Sequence, residues 1–305
     1  MLLTLAMLLT THIALPAAFI IWLWVPGSRA FAGWLMKAFY GGAYVMFITL
    51  CGQWDWLTHH LRIGLPIVFL LSVIITGLRA RHFPWLNAAG PSFLRRHGFT
   101  GVMTFVFLGM SAFALTGYDY EPPAVDLAFP FREGTFAVRH GGDNTLINYH
   151  NSNRGQRFAL DIVALDPLGR RARGLYPSDL ARYAIYGRDV TSPCTGVALS
   201  IRNDLDDNIP PATDVADPAG NHIVLACGTA RILLAHFQKG SIEVAEGALV
   251  QEGQPLGNVG NSGNSSEPHL HIHAYQGNGD FDDGIGVPIT FGGRFLVRGS
   301  TVTVP

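Results

Sequence analysis

The first 28 residues, Met1–Ser28, carry no charged side chain, and three further uncharged runs follow: Ala38–Trp54, Ile63–Leu78 and Phe99–Tyr118. A helix crossing a bilayer needs ~20 largely apolar residues, because its backbone polar groups find no water in the hydrocarbon layer. The four runs predict four membrane-spanning helices within residues 1–118, with the third run the shortest. Only 14% of the whole chain is charged, and the deficit falls in this half. From residue 119 to 305 the composition is that of an ordinary globular domain. The expected architecture is therefore an N-terminal all-α transmembrane region followed by a mostly-β domain.

Basic residues suggest the orientation. Arg79, Arg81, Arg95 and Arg96 lie between the third and fourth runs, and Arg29 with Lys37 lies between the first and second. Loops rich in Arg and Lys stay in the cytoplasm, so both chain ends are expected outside it. The expected location is a bacterial inner (cytoplasmic) membrane, multi-pass, with residues 119–305 in the periplasm or at the cell surface. Lys37 is placed to snorkel at a span end. Met1–Ser28 lacks the basic start and small-residue cleavage pattern of a signal peptide. His12, inside the first run, is expected to bond another helix or line a contact. One span suffices for anchoring in the lipid bilayer, so four also offer a platform for a membrane-protein partner. The net charge of −1 gives no footprint for nucleic acid.

In the outer half, the proline-rich segment 118–130 reads as a linker. "GTFAVRHGGDNTLINYH" (134–150) predicts a hairpin turning on Gly141–Asn144. "RFALDIVALD" alternates as a strand, 166–189 reads as a polar loop with one helical turn, and "NHIVLACGTARILLAHF" as two strands joined at Cys227-Gly228-Thr229. No long amphipathic helix is expected after residue 120. Cys194 and Cys227 can form a disulfide outside the cytoplasm, or be two small buried residues.

"SSEPHLHIHAY" (265–275) places His269, His271 and His273 at alternate positions. Alternate residues of a strand share a face. Three imidazoles on one face are costly to protonate together, and a metal relieves that repulsion. His236 closes one of the two strands just described, ahead of a glycine-rich segment. His140, beside a Gly-Gly pair, reads as a surface residue, and His59, His60, His82, His97 and His222 have no partner pattern.

"GNVGNSGNSSEPHLHIHAY", "LLAHFQKGSIEVAEGALVQEGQPLG" and "YGRDVTSPCTGVAL" resemble, in order, segments of the M23 family of zinc metallopeptidases, the LytM-like peptidoglycan endopeptidases that include lysostaphin. The resemblance covers about residues 131–300. It implies a LytM-like β fold, one Zn²⁺ per chain, His271 and Asp161 as metal ligands, and His269 and His236 as catalytic residues. One departure stands out. The family's first zinc motif is His-x-x-x-Asp, but Arg157 stands four residues before Asp161, and a guanidinium cannot bind zinc. Eleven residues before Asp161 is His150, in "INYHNSNRGQRFALD". The resemblance then links Asn148, His150, Gln156, Arg157 and Asp161, with His150 the third ligand and His273 in reserve. Gln156 and Arg157 could position substrate or form a structural salt bridge.

Two imidazoles and a carboxylate leave a zinc ion one open position, where bound water becomes a nucleophile near neutral pH. His236 and His269 could then move the proton or donate to the developing oxyanion. The resemblance implies a membrane-anchored zinc endopeptidase cutting peptide cross-bridges of peptidoglycan. The alternative is a degenerate member of the family, a regulator or binding module for cell-wall hydrolases. A biotinyl-type carrier is disfavoured because no lysine follows Lys239.

Overall fold

The computed structural model describes residues 2–25, 30–86, 93–277, 281 and 283–305. Two compact units emerge: one of Met1–Trp54 and His59–Leu115, the other of Asp55–Thr58 and Thr116–Pro305.

Among the described residues of the first unit, four helices are long and apolar enough to cross a membrane: Leu3–Trp24, Phe31–Cys51, His59–Ala80 and Arg95–Thr116. The first is continuous from α1 (Leu2–Leu9) through a π turn (Thr10–Ala14) into α2 (Leu15–Trp24). A π turn widens the helix and frees a carbonyl; Tyr44 of α3 (Phe31–Cys51) donates its hydroxyl to Thr11 O at 2.7 Å. His12 is buried here. Its Nδ1 bonds Leu8 O within its own helix, and its ring meets Trp54 edge-on. Helix α3 starts seven residues ahead of the expected Ala38, taking in Lys37, whose ammonium donates to Trp22 O and Val25 O. Those are orphan carbonyls at the end of α2, where a cation is favourable. Arg29 lies outside the described residues. Helix α3 packs on α4 (His59–Ala80) through Gly41, where a Cβ would stand 2.8 Å from the Phe69 ring. Large apolar side chains such as Phe99 and Phe105 on α5 (Phe93–Thr116) face outward, as a lipid-facing surface requires.

The second unit is built on a nine-stranded sheet. Its strands are β2 (Gly134–His140), β3 (Leu160–Leu165), β5 (Gly196–Arg202), β6 (Asn221–Cys227), β7 (Ala230–Phe237), β8 (Leu249–Val250), β10 (Leu270–Gln276), β11 (Ile285–Val287) and β14 (Thr301–Val304). The order is β14-β2-β3-β10-β7-β6-β5-β8, with β11 on β10. Small sheets of β1 (Val125–Leu127), β12 (Ile289–Phe291) and β13 (Arg294–Phe295), and of β4 (Asp189–Thr191) and β9 (Pro255–Asn258), complete it.

Alternation divides the central strands between core and site. Leu160, Ile162, Ile232, Leu234, Leu270 and Ile272 enter one core with Phe136, Ile223, Val190, Leu256 and Phe291. The intervening Asp161, Leu233, Ala235, His271 and His273 lie on the opposite face.

The hairpin on Gly141–Asn144 does not form. After β2 the chain passes through a 3₁₀ turn (Tyr149–Ser152) and returns only at β3. The buried Asn148 side chain explains this. Its amide donates to Gly142 O, Arg157 O and Ala159 O, and its oxygen accepts from His150 N. These bonds satisfy a loop backbone that would otherwise need a ladder. His140 is buried, not at the surface. Cys194 and Cys227 form a disulfide.

Candidate metal centre and its imidazoles

Backbone pairing fixes the heart of the site. His271 on β10 is the cross-strand partner of Asp161 on β3, and Nδ1 of His271 lies 3.1 Å from Oδ1 of Asp161. The 3₁₀ turn delivers His150, with Nε2 3.0 Å from the same oxygen. One ligand atom from each of His150, Asp161 and His271 lies within 4.8 Å of the others, and all three residues are buried.

Hydrogen bonds fix the aim of the His150 ring. Gln156 Oε1 can only accept, so His150 Nδ1 donates to it at 3.1 Å, and Nε2 of the same ring faces the Asp161 carboxylate. Burial and neighbouring imidazoles hold His271 down to about 4, so its ring is neutral at pH 7, the form that binds metals. Burial alone would raise the Asp161 pKa, but His150 and His269 hold it well below the ordinary carboxylate range. Two imidazoles and one carboxylate, with an open side, suit zinc. His273, the reserve ligand, stands behind His271, with Nδ1 2.8 Å from His271 Nε2.

His236 arrives by a bulge. Ala235 pairs with His222 and Phe237 with Asn221, so His236 is an extra residue on β7. Its φ of 69° is left-handed, unusual for a side chain other than glycine. Without the bulge His236 would fall on the core face; with it, Phe237 takes the core position and the imidazole turns to the site. Bulges re-aim side chains next to active sites in this way. Its Nδ1 bonds Ser262 O at 2.8 Å, leaving Nε2 directed away from that carbonyl. Two loops meet here at Gly220 and Gly263, where either Cβ would strike the other's backbone. His269, at the mouth of β10, is held alike: Nδ1 bonds Glu267 O at 2.9 Å, and Nε2 lies 3.5 Å from Asp161 Oδ1. The His236 and His269 rings are 4.7 Å apart. Burial, then His269 and His271, depress the His236 pKa well below its ordinary value.

The residues beyond the triad divide. Gln156 orients His150. Arg157 forms a bidentate ion pair with Asp143 and is half exposed, the structural alternative. Several neighbours were not legible beforehand. A register shift in β2 leaves Arg139 extra and pairs His140 with Asp161; His140 Nδ1 faces Arg298, 2.8 Å away. Tyr149 packs on the His150 ring, and burial with Asp161 pushes its hydroxyl pKa up. Glu267, fully buried, pairs with Arg139 and Arg171. A cavity of about 110 Å³ opens onto the centre, walled by Tyr149, Pro218, Leu233, Ala235 and Phe281.

Residues 182–283, about a third of the chain, match the model of Peptidase family M23. The match contains His236, His269 and His271 and begins after His150 and Asp161. No curated protein matches the chain. Among solved structures, it is similar to lysostaphin in solution (20% identity over 43% of this chain and 40% of that one, TM-score 0.28). It is also similar to a zinc-containing peptidase from Vibrio cholerae (20% over 48% and 48%, TM-score 0.24). A third likeness is to a chain of the SpoIIIAH–SpoIIQ complex (15% over 53% and 96%, TM-score 0.34). The chain spans less than half the length of the lysostaphin and Vibrio cholerae proteins.

Proposed function

We propose that the protein is a membrane-anchored zinc endopeptidase that hydrolyses peptide cross-bridges of peptidoglycan, with its β unit in the periplasm or at the cell surface. The observation that carries this reading is the convergence of His150, Asp161 and His271 on one point from three separated segments. These three would hold the ion, which when bound supplies Lewis-acid activation of water and of the peptide carbonyl. The chain's own groups do the rest. His236 and His269 each bond a backbone carbonyl through Nδ1, so each ring is held with Nε2 on its other side, that of His269 3.5 Å from Asp161 Oδ1. One Nε2 can take a proton from the attacking water and return it to the leaving amine; protonated, the other can donate to the developing oxyanion. The cavity walls exclude bulk solvent around an extended peptide. The regulator or binding-module alternative would need no intact centre, and here every candidate ligand and both further imidazoles are present.

Arg79, Arg81, Arg95 and Arg96 on the cytoplasmic side would place both chain ends outside it. The test is digestion of purified sacculi by the full-length protein in detergent, wild type against His271→Ala, with zinc measured on both. Release of uncross-linked muropeptides by zinc-loaded wild type alone is expected. Equal release by both, or none by a wild type holding no zinc after supplementation, rejects the reading.

A further inference from the structure

Four residues outside the β unit's own stretch of chain belong to its fold. Asp55–Thr58, between α3 and α4 in sequence, group with Thr116–Pro305. Trp56 is buried and stacks on Tyr176, rings 5.1 Å apart and 14° from parallel. The Arg171 guanidinium lies 3.9 Å from the Trp56 ring centre. Arg171 N donates to Asp55 O at 3.1 Å, and the Asp55 carboxylate sits 3.7 Å from Arg171 Nε.

Both residues that Trp56 covers clamp the same short turn. Tyr176 donates its hydroxyl to Ser266 O at 2.9 Å. Arg171 donates to Glu267 Oε2 through Nε at 2.8 Å, its Nη2 lies 2.6 Å from the same oxygen in an ion pair, and Arg139 pairs with the other oxygen. The Glu267 carbonyl is the group that His269 Nδ1 bonds, and Ser265 Oγ donates to the same carbonyl. Charge favours the segment too. Glu267 faces two guanidiniums, Arg139 and Arg171, and Asp55 adds a second carboxylate beside Arg171, while Asp161 also acts on Arg139. Arg171, Glu267 and Asp55 are all buried. Removing Asp55 takes one compensating carboxylate from beside the buried Arg171 guanidinium, and losing a partner of a buried charge is destabilising.

We propose that Asp55 and Trp56 are positioning residues for His269: the segment between two apolar helices completes the clamp that holds the 265–267 turn, and through it the tautomer and aim of the His269 ring. It follows that residues 119–305 alone lack the part of the clamp that Asp55 and Trp56 supply. The catalytic arm of this inference rests on the proposed peptidase reading; the structural arm does not.

The experiment uses the full-length chain in detergent, with Trp56→Ala, Trp56→Phe and Asp55→Asn, read by backbone hydrogen exchange and by kinetics on a cross-linked muropeptide. In Trp56→Ala and Asp55→Asn, exchange over 262–270 is expected to rise at least about tenfold while that over 221–235 stays put, and Trp56→Phe, which keeps a ring, falls between. kcat is expected to drop about tenfold or more, with KM and zinc content within twofold of wild type. Unchanged exchange over 262–270 in Trp56→Ala overturns the proposal whether or not the protein cuts any peptide. So does a uniform rise across the β unit in all three variants, which marks a general structural role. A wild type without activity but with the localised exchange change would reject the peptidase reading and leave the clamp standing.

Discussion

His271 and Asp161 face one another across the β10–β3 ladder, His271 Nδ1 3.1 Å from Asp161 Oδ1. Two candidate ligands are thus fixed by main-chain pairing, and only His150 depends on a loop. His271→Ala and Asp161→Ala are expected to purify folded but without zinc, with activity down by more than the ~100-fold typical of outer-shell changes. His150→Ala should keep weaker, partial zinc occupancy. Metal analysis beside circular dichroism checks both; stoichiometric zinc in His271→Ala would disprove the ligand assignment.

His273 acts through His271. With its Nδ1 2.8 Å from His271 Nε2, it can accept that N–H and leave the His271 Nδ1 lone pair toward Asp161. Replacing such a partner commonly costs ~10–100-fold in metal affinity. His273→Phe should lose affinity within that range, and His273→Gln, which keeps an acceptor, should lose far less. Competition against a fluorescent chelator measures the difference; equal affinities would leave His273 a packing residue.

Glu267 gives the β unit an acid limit. Burial acts to raise its pKa, but Arg139 and Arg171 outweigh it and hold the carboxyl below its ordinary 4.5. A depressed folded pKa means stability fully present above the unfolded value and lost as pH falls below it. Thermal unfolding of the wild type should therefore lose stability below about pH 4.5. Glu267→Gln should be less stable at pH 7, by ~3–5 kcal/mol for a broken buried pair, and should show a shallower acid loss. An identical pH slope in the two proteins would contradict the linkage.

The Cys194–Cys227 bridge ties the start of β5 to the end of β6, closing 33 residues. Loop-closure entropy for that length is worth about 4 kcal/mol. The double Cys→Ala variant should unfold at correspondingly lower denaturant, with unchanged zinc content because neither cysteine touches the centre. A midpoint equal to that of the oxidised wild type would show that the bridge does not form.

The sequence by itself determined whatever depends on neighbours along the chain. The four apolar helices were legible because a bilayer constrains each segment separately. The shared face of His271 and His273 was legible because a strand repeats every two residues. The Asp161 strand, and the β6–β7 pair turning at Gly228, carried the same local signals. Tertiary structure alone decided what depends on partners far away. The His236 ring reaches the site through a bulge that cross-strand register creates. His140 is buried because Arg139 is extra in β2. Arg171 meets Glu267 across a sequence separation of 96 residues, and Trp56 joins them from between two apolar helices. The physical reason is common to all of these. Burying charge and re-aiming a side chain are properties of a packed interior, and periodicity along one segment carries no information about which distant segment supplies the compensating partner.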